Sequence, residues 1–318
     1  MYFCISIGET FDVLSINLSK NNLIMRKLII FWMAVVAIFA FTSCEKDNLG
    51  VYNPKWKISK VYGESDGHYL KEQWLWSDDQ LRQVEYYKKN GAVDYICRYQ
   101  YENGLLSRIE TDDQHTDFEY DGKTLATIKT YYGDQLAETY AITLEKQKLS
   151  HISINKNAKS VAGKGSDVLR LLSPELDAYL SKSDAKREHY DYSTAEIDFT
   201  WDGDNVKYMK MKIDRPDSVQ NLTFTYVYDE NINPKKNFFS LLLDHVLLND
   251  EPQTFFCSAN NAVGIYVTDS YDIFSESTSF TYVYDYYKKY PTKVYSTWFD
   301  DEYFMERKEL IYSYEYLN

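Results

Sequence analysis

The segment Tyr95-Ile-Cys-Arg-Tyr-Gln-Tyr-Glu-Asn-Gly-Leu105 carries the pattern that decides the fold. From Tyr95 to Tyr101, every second side chain is tyrosine or cysteine, and the positions between them hold Ile, Arg and Gln. A period of two with one aromatic face is typical of a half-buried β-strand. Asn103-Gly104 then supplies the positive φ angles that a tight hairpin turn needs. The segment therefore predicts a strand, a turn and an antiparallel return strand.

The same unit recurs along the chain at a spacing of about 20–25 residues. It consists of an aromatic-x-aromatic pair, an Asx/Gly turn, an aliphatic residue and a second aliphatic about three residues later. Copies begin at Trp74, Tyr99, Phe118 and Phe199, and a weaker copy runs from Ile142 to Ile152. One hairpin cannot bury its aromatic face, whereas a row of hairpins in one sheet can. We expect an all-β fold, an antiparallel meander of hairpins curled into a barrel-like or half-barrel sheet.

Two segments depart from this pattern. Val161–Glu188 is polar and irregular, and within it Ser173-Pro174-Glu175 has the Ser cap and the early Pro of a helix start. Asn237–Leu248 follows Pro234 and is apolar, which predicts a helix or an ordered loop that covers one end or one face of the sheet. We therefore expect one or two short helices beside the sheet.

The segment Met25–Cys44 predicts where the protein goes. A basic start is followed by an apolar run of about 14 residues from Leu28 to Phe41, and then by Thr42-Ser43-Cys44. This order is typical of a secretory signal, and the run is shorter than the roughly 20 residues of a membrane-spanning helix. The cysteine at the cleavage point indicates a lipoprotein signal. We expect cleavage before Cys44 and lipidation of its thiol.

These features divide the chain into four expected parts. Residues 1–24 show no export signal and are interpreted as an over-called start, and residues 25–43 form the signal peptide. Residues 44–53 form a polar tether, and residues 54–318 form a single β domain. The expected location is the outer membrane, with the protein facing either the periplasm or the cell surface.

The charge of the chain restricts its partners. The whole chain carries −13 and residues 1–43 carry +1, so the mature chain is expected to carry about −14. Nucleic acid and an anionic membrane surface both repel such a chain. We expect no nucleic-acid partner, and membrane attachment through acyl chains on Cys44. Cys97 and Cys257 could pair or remain two small buried side chains, and the sequence favours neither.

The face opposite the aromatic residues bears on membrane insertion. It carries Arg98, Glu119, Asp198 and Glu315, and charged side chains facing lipid are costly. We therefore expect a soluble sheet that is not membrane-inserted.

The sequence predicts no catalytic site, no metal site and no cofactor. The five His residues show no zinc-ligand spacing, and the chain has no Gly-x-Ser-x-Gly elbow. Paired acids occur at Asp78-Asp79, Asp112-Asp113 and Asp300-Asp301-Glu302. Two acids flanking a sugar bond can hydrolyse it, but adjacent acids in turns more often cap the turn or face solvent.

Several motifs resemble known families. The hairpin unit Tyr-x-Tyr-(Asp/Glu)-(Asn/Gly)-Gly-x-Leu resembles the YD-type repeats of secreted surface proteins. The segments 226–237 and 258–263, together with the start Thr42-Ser43-Cys44-Glu45-Lys46-Asp47, resemble a family of Bacteroidota envelope lipoproteins of unknown function with a porin-like domain. The resemblance covers most of residues 54–318. It implies a curled antiparallel sheet outside the bilayer and says nothing about activity.

The function expected from these observations is that of a lipid-anchored, non-enzymatic envelope protein that serves as a binding or structural module. Tyr286, Tyr287 and Tyr290 lie in turns or irregular stretches and are the stronger candidates for contacts with a partner, either a glycan or another envelope protein, whose identity the sequence does not define. One alternative is a glycan-binding accessory of an outer-membrane uptake system, which would expose Trp or Tyr in one patch. The other is a hydrolase with two acids facing each other across a groove.

Overall fold

The structure, a computed structural model, describes residues 49–63, 67–157, 194–214, 219–238, 257–271, 274–300 and 305–317. Side chains at 269, 271–278 and 298–312 are outside that description. Met1–Asp47 separate from Asn48–Asn318 as a unit of their own. The expected start, signal peptide and lipidated Cys44 therefore lie outside the described residues, as does the predicted helix start at Ser173-Pro174-Glu175.

The described residues of Asn48–Asn318 form a closed antiparallel barrel of 16 strands. Every strand pairs with the strand before it and the strand after it, and β1 pairs with β16 to close the barrel. The strands are β1 Ile58–Gly63, β2 Tyr69–Ser77, β3 Gln80–Tyr87, β4 Val93–Glu102, β5 Leu105–Glu110, β6 Gln114–Asp121, β7 Thr124–Tyr132, β8 Gln135–Glu145, β9 Lys148–Lys156, β10 Thr194–Asp202, β11 Asn205–Asp214, β12 Val219–Ile232, β13 Asn260–Tyr271, β14 Phe274–Tyr287, β15 Tyr290–Asp300 and β16 Met305–Tyr316.

Closure corrects the expected architecture. The all-β, antiparallel meander is confirmed in its strands and turns, but the half-barrel alternative is wrong because Val61 pairs with Tyr314 across a complete seam. The described residues contain no helix, and thus none long and apolar enough to cross a membrane. Neither of the expected short helices appears among the described residues, and the segments in which they were expected lie almost wholly outside them. Of the apolar segment predicted to be a helix or an ordered loop, only Asn237 and Phe238 are described, and Asn237 has a φ of 64°, outside the right-handed helical region.

The expectation of a soluble, non-inserted sheet is corrected as well. A closed barrel has no unpaired sheet edge, and closed barrels are the form in which β-sheets cross bilayers. That expectation rested on four outward charges, and the structure gives each of them a partner of opposite charge or an imidazole. The pairs are Arg98 with Asp112 at 3.6 Å, Glu119 with Lys129 at 2.5 Å, Asp198 with His151 at 2.8 Å and Glu315 with Lys60 at 3.7 Å. The cost of an isolated charge therefore does not apply to them.

Tight turns gather at one end of the barrel, which we call the turn end. Four hairpins close there through two residues that both have positive φ, as two-residue hairpin turns require. These turns are Asp78–Asp79, Asn103–Gly104, Lys146–Gln147 and Lys288–Lys289. The predicted hairpin at Asn103-Gly104 is confirmed, as is the weaker copy, which turns at Lys146–Gln147 between β8 and β9.

Each strand pair that meets at the turn end contains a β-bulge close to that end. Side chains three residues apart on a regular strand point to opposite faces, unless one extra residue intervenes. In β5 the register shifts opposite Gln100 and Tyr101, so Leu106 and Ile109 both face the interior. The same shift occurs in β2–β3, β6–β7, β8–β9, β10–β11, β12–β13, β14–β15 and β16–β1. The recurring pair of aliphatic residues is therefore the sequence mark of the bulge.

Apolar and aromatic side chains fill the interior of the described barrel. Tyr140 and Phe224 are the largest fully buried side chains. Aliphatic residues complete the interior, with Leu81, Ile109, Leu125, Ile128, Leu149, Ile152 and Ile154 fully buried. The interior face is thus a packed core in this part of the chain. A binding site formed by the described residues would therefore lie at an end of the barrel or on its outer surface.

Candidate functional site

The residues before β1 lie across the turn end and pack against it. The carbonyl of Gly50 accepts a hydrogen bond from the amide of Leu106 at 2.9 Å. Tyr52 is 7% exposed and donates from its hydroxyl to the carbonyl of Pro234 at 2.9 Å. Its ring centroid lies 5.2 Å from that of Phe238. Residues 49–53, which the sequence assigned to the tether, are therefore held against the barrel.

The space behind this segment is too small to be a ligand pocket. Tyr52, Tyr99 and Phe238 line a cavity with room for about one water molecule. Burial raises the pKa of both Tyr52 and Tyr99 well above the usual value for tyrosine. Both side chains therefore stay neutral at physiological pH and serve as packing groups.

An aromatic cluster forms where the same segment reaches the β14–β15 turn. The half-buried Trp56 ring stacks on Tyr290 with centroids 4.7 Å apart and planes 6° apart. Tyr287 lies 5.7 Å and Tyr316 5.8 Å from the Trp56 ring. The Lys288 ammonium lies over two of these rings, 5.9 Å from the centroid of Trp56 and 5.2 Å from that of Tyr287, within cation–π range.

Exposed apolar side chains adjoin this cluster. The amide of Ile232 donates to the carbonyl of Lys289 at 3.0 Å, and the amide of Leu317 donates to the carbonyl of Lys57 at 2.8 Å. Ile232 is 38% exposed, Leu317 49% and Tyr287 55%. We call this surface the turn-end patch and define it as Trp56, Ile232, Tyr287, Lys288, Lys289 and Leu317.

The structure separates the three tyrosines that the sequence singled out. Tyr287 lies in the turn-end patch and is exposed, whereas Tyr290 is 5% exposed and supports the Trp56 ring from beneath. Tyr286 is half-buried and donates from its hydroxyl to Asp229. Burial, and then this hydrogen bond, raise the pKa of Tyr286. Sequence reasoning missed Trp56, although an isolated Trp beside two lysines after Pro54 was a visible signal.

The paired acids whose side chains are described, Asp78-Asp79 and Asp112-Asp113, do not form a catalytic arrangement. Asp78 and Asp79 are the two positive-φ residues of the β2–β3 turn, and Asp79 pairs with Lys57. Asp112 lies at the opposite end of the barrel, where its side chain is 95% exposed beside Arg98. The third set, 300–302, lies outside the described side chains.

Another acidic cluster lies on the outer face of β9 and β10. Both ring nitrogens of His151 meet a carboxylate, with Nε2 at 2.9 Å from Glu196 and Nδ1 at 2.8 Å from Asp198. Ser153 also donates to Glu196 at 3.0 Å. These side chains share one face of a sheet and do not face each other across a groove. No set of three His, Cys, Asp or Glu among the described residues is placed to hold a metal ion.

Two carboxylates are buried inside the barrel, and sequence reasoning did not single them out. Glu72 is 3% exposed and accepts a hydrogen bond from Trp74 Nε1 at 2.8 Å. Glu138 is 4% exposed and accepts one from the Tyr140 hydroxyl. In both cases the acid precedes the aromatic by two residues, so the two side chains share the inward face.

The two cysteines of the β domain are buried and are not joined by a disulfide. Cys97 is fully buried on β4, and Cys257 is 5% exposed. The structure thus supports the alternative in which both are small buried side chains.

Comparisons with known proteins show similarity in fold. No family model matches the chain, and no curated protein sequence matches it. The solved structures that resemble it include two that are described as porin-like proteins. The first, from Bacteroides vulgatus ATCC 8482, has a TM-score of 0.44 and 9% identity, over 83% of this chain and 99% of that one. The second, from Bacteroides uniformis ATCC 8492, has a TM-score of 0.42 and 11% identity, over 84% of this chain and 100% of that one.

Proposed function

We propose that this chain is a non-catalytic protein of the cell envelope, anchored to the outer membrane by acyl chains on Cys44, that acts as a binding module through the turn-end patch. The observation that carries the proposal is the contact of Trp56 with the exposed Tyr287 beneath the Lys288 ammonium. Accessible aromatic rings beside cations are typical of recognition surfaces. The buried support of Tyr290 holds the Trp56 ring in place.

The placement of the acids supports a non-catalytic role. A glycoside hydrolase needs two carboxyl groups about 5–10 Å apart on either side of the bound sugar. The described paired acids lie in exposed turns, and Glu196 and Asp198 both engage one imidazole on an outer face. Neither arrangement could hold a glycosidic bond between two carboxyl groups.

Mass spectrometry of the protein purified from membranes tests the anchor. We expect a mature N-terminal peptide that begins at Cys44 and carries the mass of acyl chains, and we expect Cys44→Ala to lose that mass. A peptide with unmodified Cys44, or one that continues into the residues before Cys44, would contradict the proposal.

Glycan binding is a second candidate function. Its specific support is that Trp56 and Tyr287 are gathered in one patch, because sugar rings stack on aromatic faces. A glycan array with the purified protein tests it, with Trp56→Ala and Tyr287→Ala as patch variants. The matched control is Tyr266→Ala, which removes a tyrosine that is 51% exposed on β13, outside the patch. Retention that both patch variants abolish and the control preserves supports glycan binding, and uniform silence removes this candidate.

A further inference from the structure

We infer that the turn-end patch binds acidic oligosaccharides, in which the sugar units carry carboxylate groups. The inference rests on the proposed function, because it names the class of ligand that the patch would take. The site needs only the turn end of the barrel to face the aqueous phase.

Three lysines gather at the patch without an acidic partner. Lys288 and Lys289 form the β14–β15 turn, and Lys55 directly precedes Trp56. All three lysines are exposed. Within the part of the chain that the structure describes, none of the three forms an ion pair, whereas the nearby Lys57 is paired with an aspartate. In a chain that carries −13, these ammonium groups leave a local positive charge that an anion can use.

Aromatic rings hold the Lys288 ammonium without cancelling its charge. The ammonium lies 5.2 Å from the ring centroid of Tyr287 and 5.9 Å from that of Trp56. A ring face attracts a cation through its quadrupole and carries no net negative charge, so the ammonium keeps its charge for an incoming carboxylate. The Trp56 ring is itself supported by the buried Tyr290. The cation is thus partly positioned before a ligand binds, which lowers the ordering cost of binding.

The acids on the neighbouring strand ends do not neutralise these lysines. Asp229 accepts a hydrogen bond from the Tyr286 hydroxyl, and Asp285 accepts one from the Tyr295 hydroxyl at 3.2 Å. Glu230 is exposed and forms no ion pair with any lysine among the described residues. A carboxylate supplied by a ligand would therefore meet ammonium groups whose charge is not already compensated.

The combination of an exposed ring with cations favours an acidic sugar over other anions. Tyr287 is 55% exposed, so more than half of its side chain is open to a ligand. A sugar ring can lie against an aromatic ring while its carboxylate accepts a hydrogen bond from an ammonium. An acidic peptide offers carboxylates without such a ring. Nucleic acid carries a phosphate at every nucleotide, and a chain of charge −13 repels that density of charge.

Oligosaccharides that differ only in charge test this ligand class. The purified full-length protein is titrated with oligosaccharides of galacturonic, mannuronic and glucuronic acid, and with the methyl ester of each, by isothermal titration calorimetry. Esterification removes the carboxylate charge and keeps the sugar rings. Lys288→Gln with Lys289→Gln removes two positive charges of the patch, and Tyr287→Ala removes its exposed ring. The matched control is Lys146→Gln, at another positive-φ turn lysine, on the β8–β9 hairpin.

We expect at least one acidic oligosaccharide to bind about tenfold more tightly than its ester, since each exposed ion pair contributes up to a few-fold in affinity. The double lysine variant should lose most of that difference, and Lys146→Gln should keep it. Higher salt should weaken binding of the acid and leave binding of the ester unchanged, because salt screens exposed charges. Tyr287→Ala should weaken binding of both.

Four results would overturn the inference, and they are distinguishable. Equal affinities for acid and ester, both lowered by Tyr287→Ala, would refute it and leave the patch as a binding site for neutral sugars. Failure of every oligosaccharide to bind would refute it together with glycan binding at the patch. Binding of an acid that the double lysine variant leaves unchanged would place the site elsewhere. Tighter binding of polyglutamate or single-stranded DNA, lost in the double lysine variant, would assign the patch to another class of anion.

Discussion

The ring nitrogen of Trp76 donates a hydrogen bond to the carbonyl oxygen of Ile58 at 2.8 Å, which joins β2 to the residue beside the bulge of β1. The same relationship recurs around the barrel, where an aromatic near the end of one strand donates to the carbonyl beside the bulge of the preceding strand. The other pairs are Tyr120 with Leu106 at 2.7 Å, Trp201 with Leu149 at 2.6 Å, Tyr284 with Ala262 at 2.8 Å and Tyr316 with Pro291 at 2.6 Å. A bulge interrupts the strand ladder, and the aromatic donor satisfies a carbonyl at the interruption.

Removing one of these donors should destabilise the barrel. Trp201→Phe keeps an aromatic ring but loses the hydrogen bond to Leu149, so we expect the free energy of unfolding to fall by about 1 kcal/mol or more. Urea denaturation followed by circular dichroism measures this change. Tyr266→Phe, on the outer face, is the control and should change the free energy far less. Equal effects of the two substitutions would refute a specific role for the bulge bonds.

The packing of Gly50 against Tyr120 gives a second prediction. A Cβ at position 50 would lie 2.3 Å from the Tyr120 hydroxyl, which itself bonds to Leu106. Gly50→Ala must therefore displace that hydroxyl, and we expect a loss of about 1–3 kcal/mol of stability. In a Tyr120→Phe background the clash is smaller, so the cost of Gly50→Ala should fall. Additive effects in this double-mutant cycle would contradict the close approach.

High pH should unfold the protein. Burial raises the pKa of Tyr52, Tyr86 and Tyr99 well above normal, and that of Tyr101 to about 12. An unfolded chain releases these protons near pH 10, whereas the folded chain keeps them. Stability is thus complete below about pH 10 and falls as the pH rises from there toward the folded pKa values. Thermal unfolding across pH 8–12 checks this prediction, and an unchanged melting temperature above pH 11 would contradict it.

The thiols should be inaccessible in the native protein. Cys97 is fully buried and Cys257 is 5% exposed, so we expect neither to react with a thiol reagent until the protein is denatured. Denaturation without reductant should then release both thiols, because the structure has no disulfide between them. Titration with Ellman's reagent measures both states. Rapid reaction of these thiols in the native protein would contradict their burial. Reaction that appears only after a reductant is added would contradict the absence of a disulfide between them.

The repeated hairpin was predictable because its signal is local. Alternation around Tyr99 and the Asn103-Gly104 turn define a hairpin within about ten residues, and both are confirmed. The sequence also carried a signal for the bulge. Two aliphatic residues three positions apart can both face inward only if the strand contains one extra residue between them. The predicted hairpin nevertheless contained no bulge. The structure also places Leu106, rather than Leu105, on the inward face with Ile109.

Closure and the turn-end patch depend on contacts between distant parts of the chain. Val61 pairs with Tyr314, and no turn in the sequence connects these strands. Trp56 meets Tyr290 only because β1, β15 and β16 lie side by side in the closed barrel. Period and turn chemistry define the individual hairpins, but they do not define the number of strands at which a sheet closes. Tyr287 could be predicted from the sequence as a candidate contact near a turn, whereas its packing against Trp56 could not.

Disulfide trapping across the seam between β1 and β16 tests the closed barrel most directly. Lys60 and Glu315 face each other there, and opposed residues bring their Cβ atoms within reach of a disulfide. Gln73 and Glu85, paired between β2 and β3, provide the positive control. The closed barrel predicts that Lys60→Cys with Glu315→Cys cross-links as readily as Gln73→Cys with Glu85→Cys, as read from linked peptides after proteolysis. Cross-linking of the control pair without the seam pair would contradict closure.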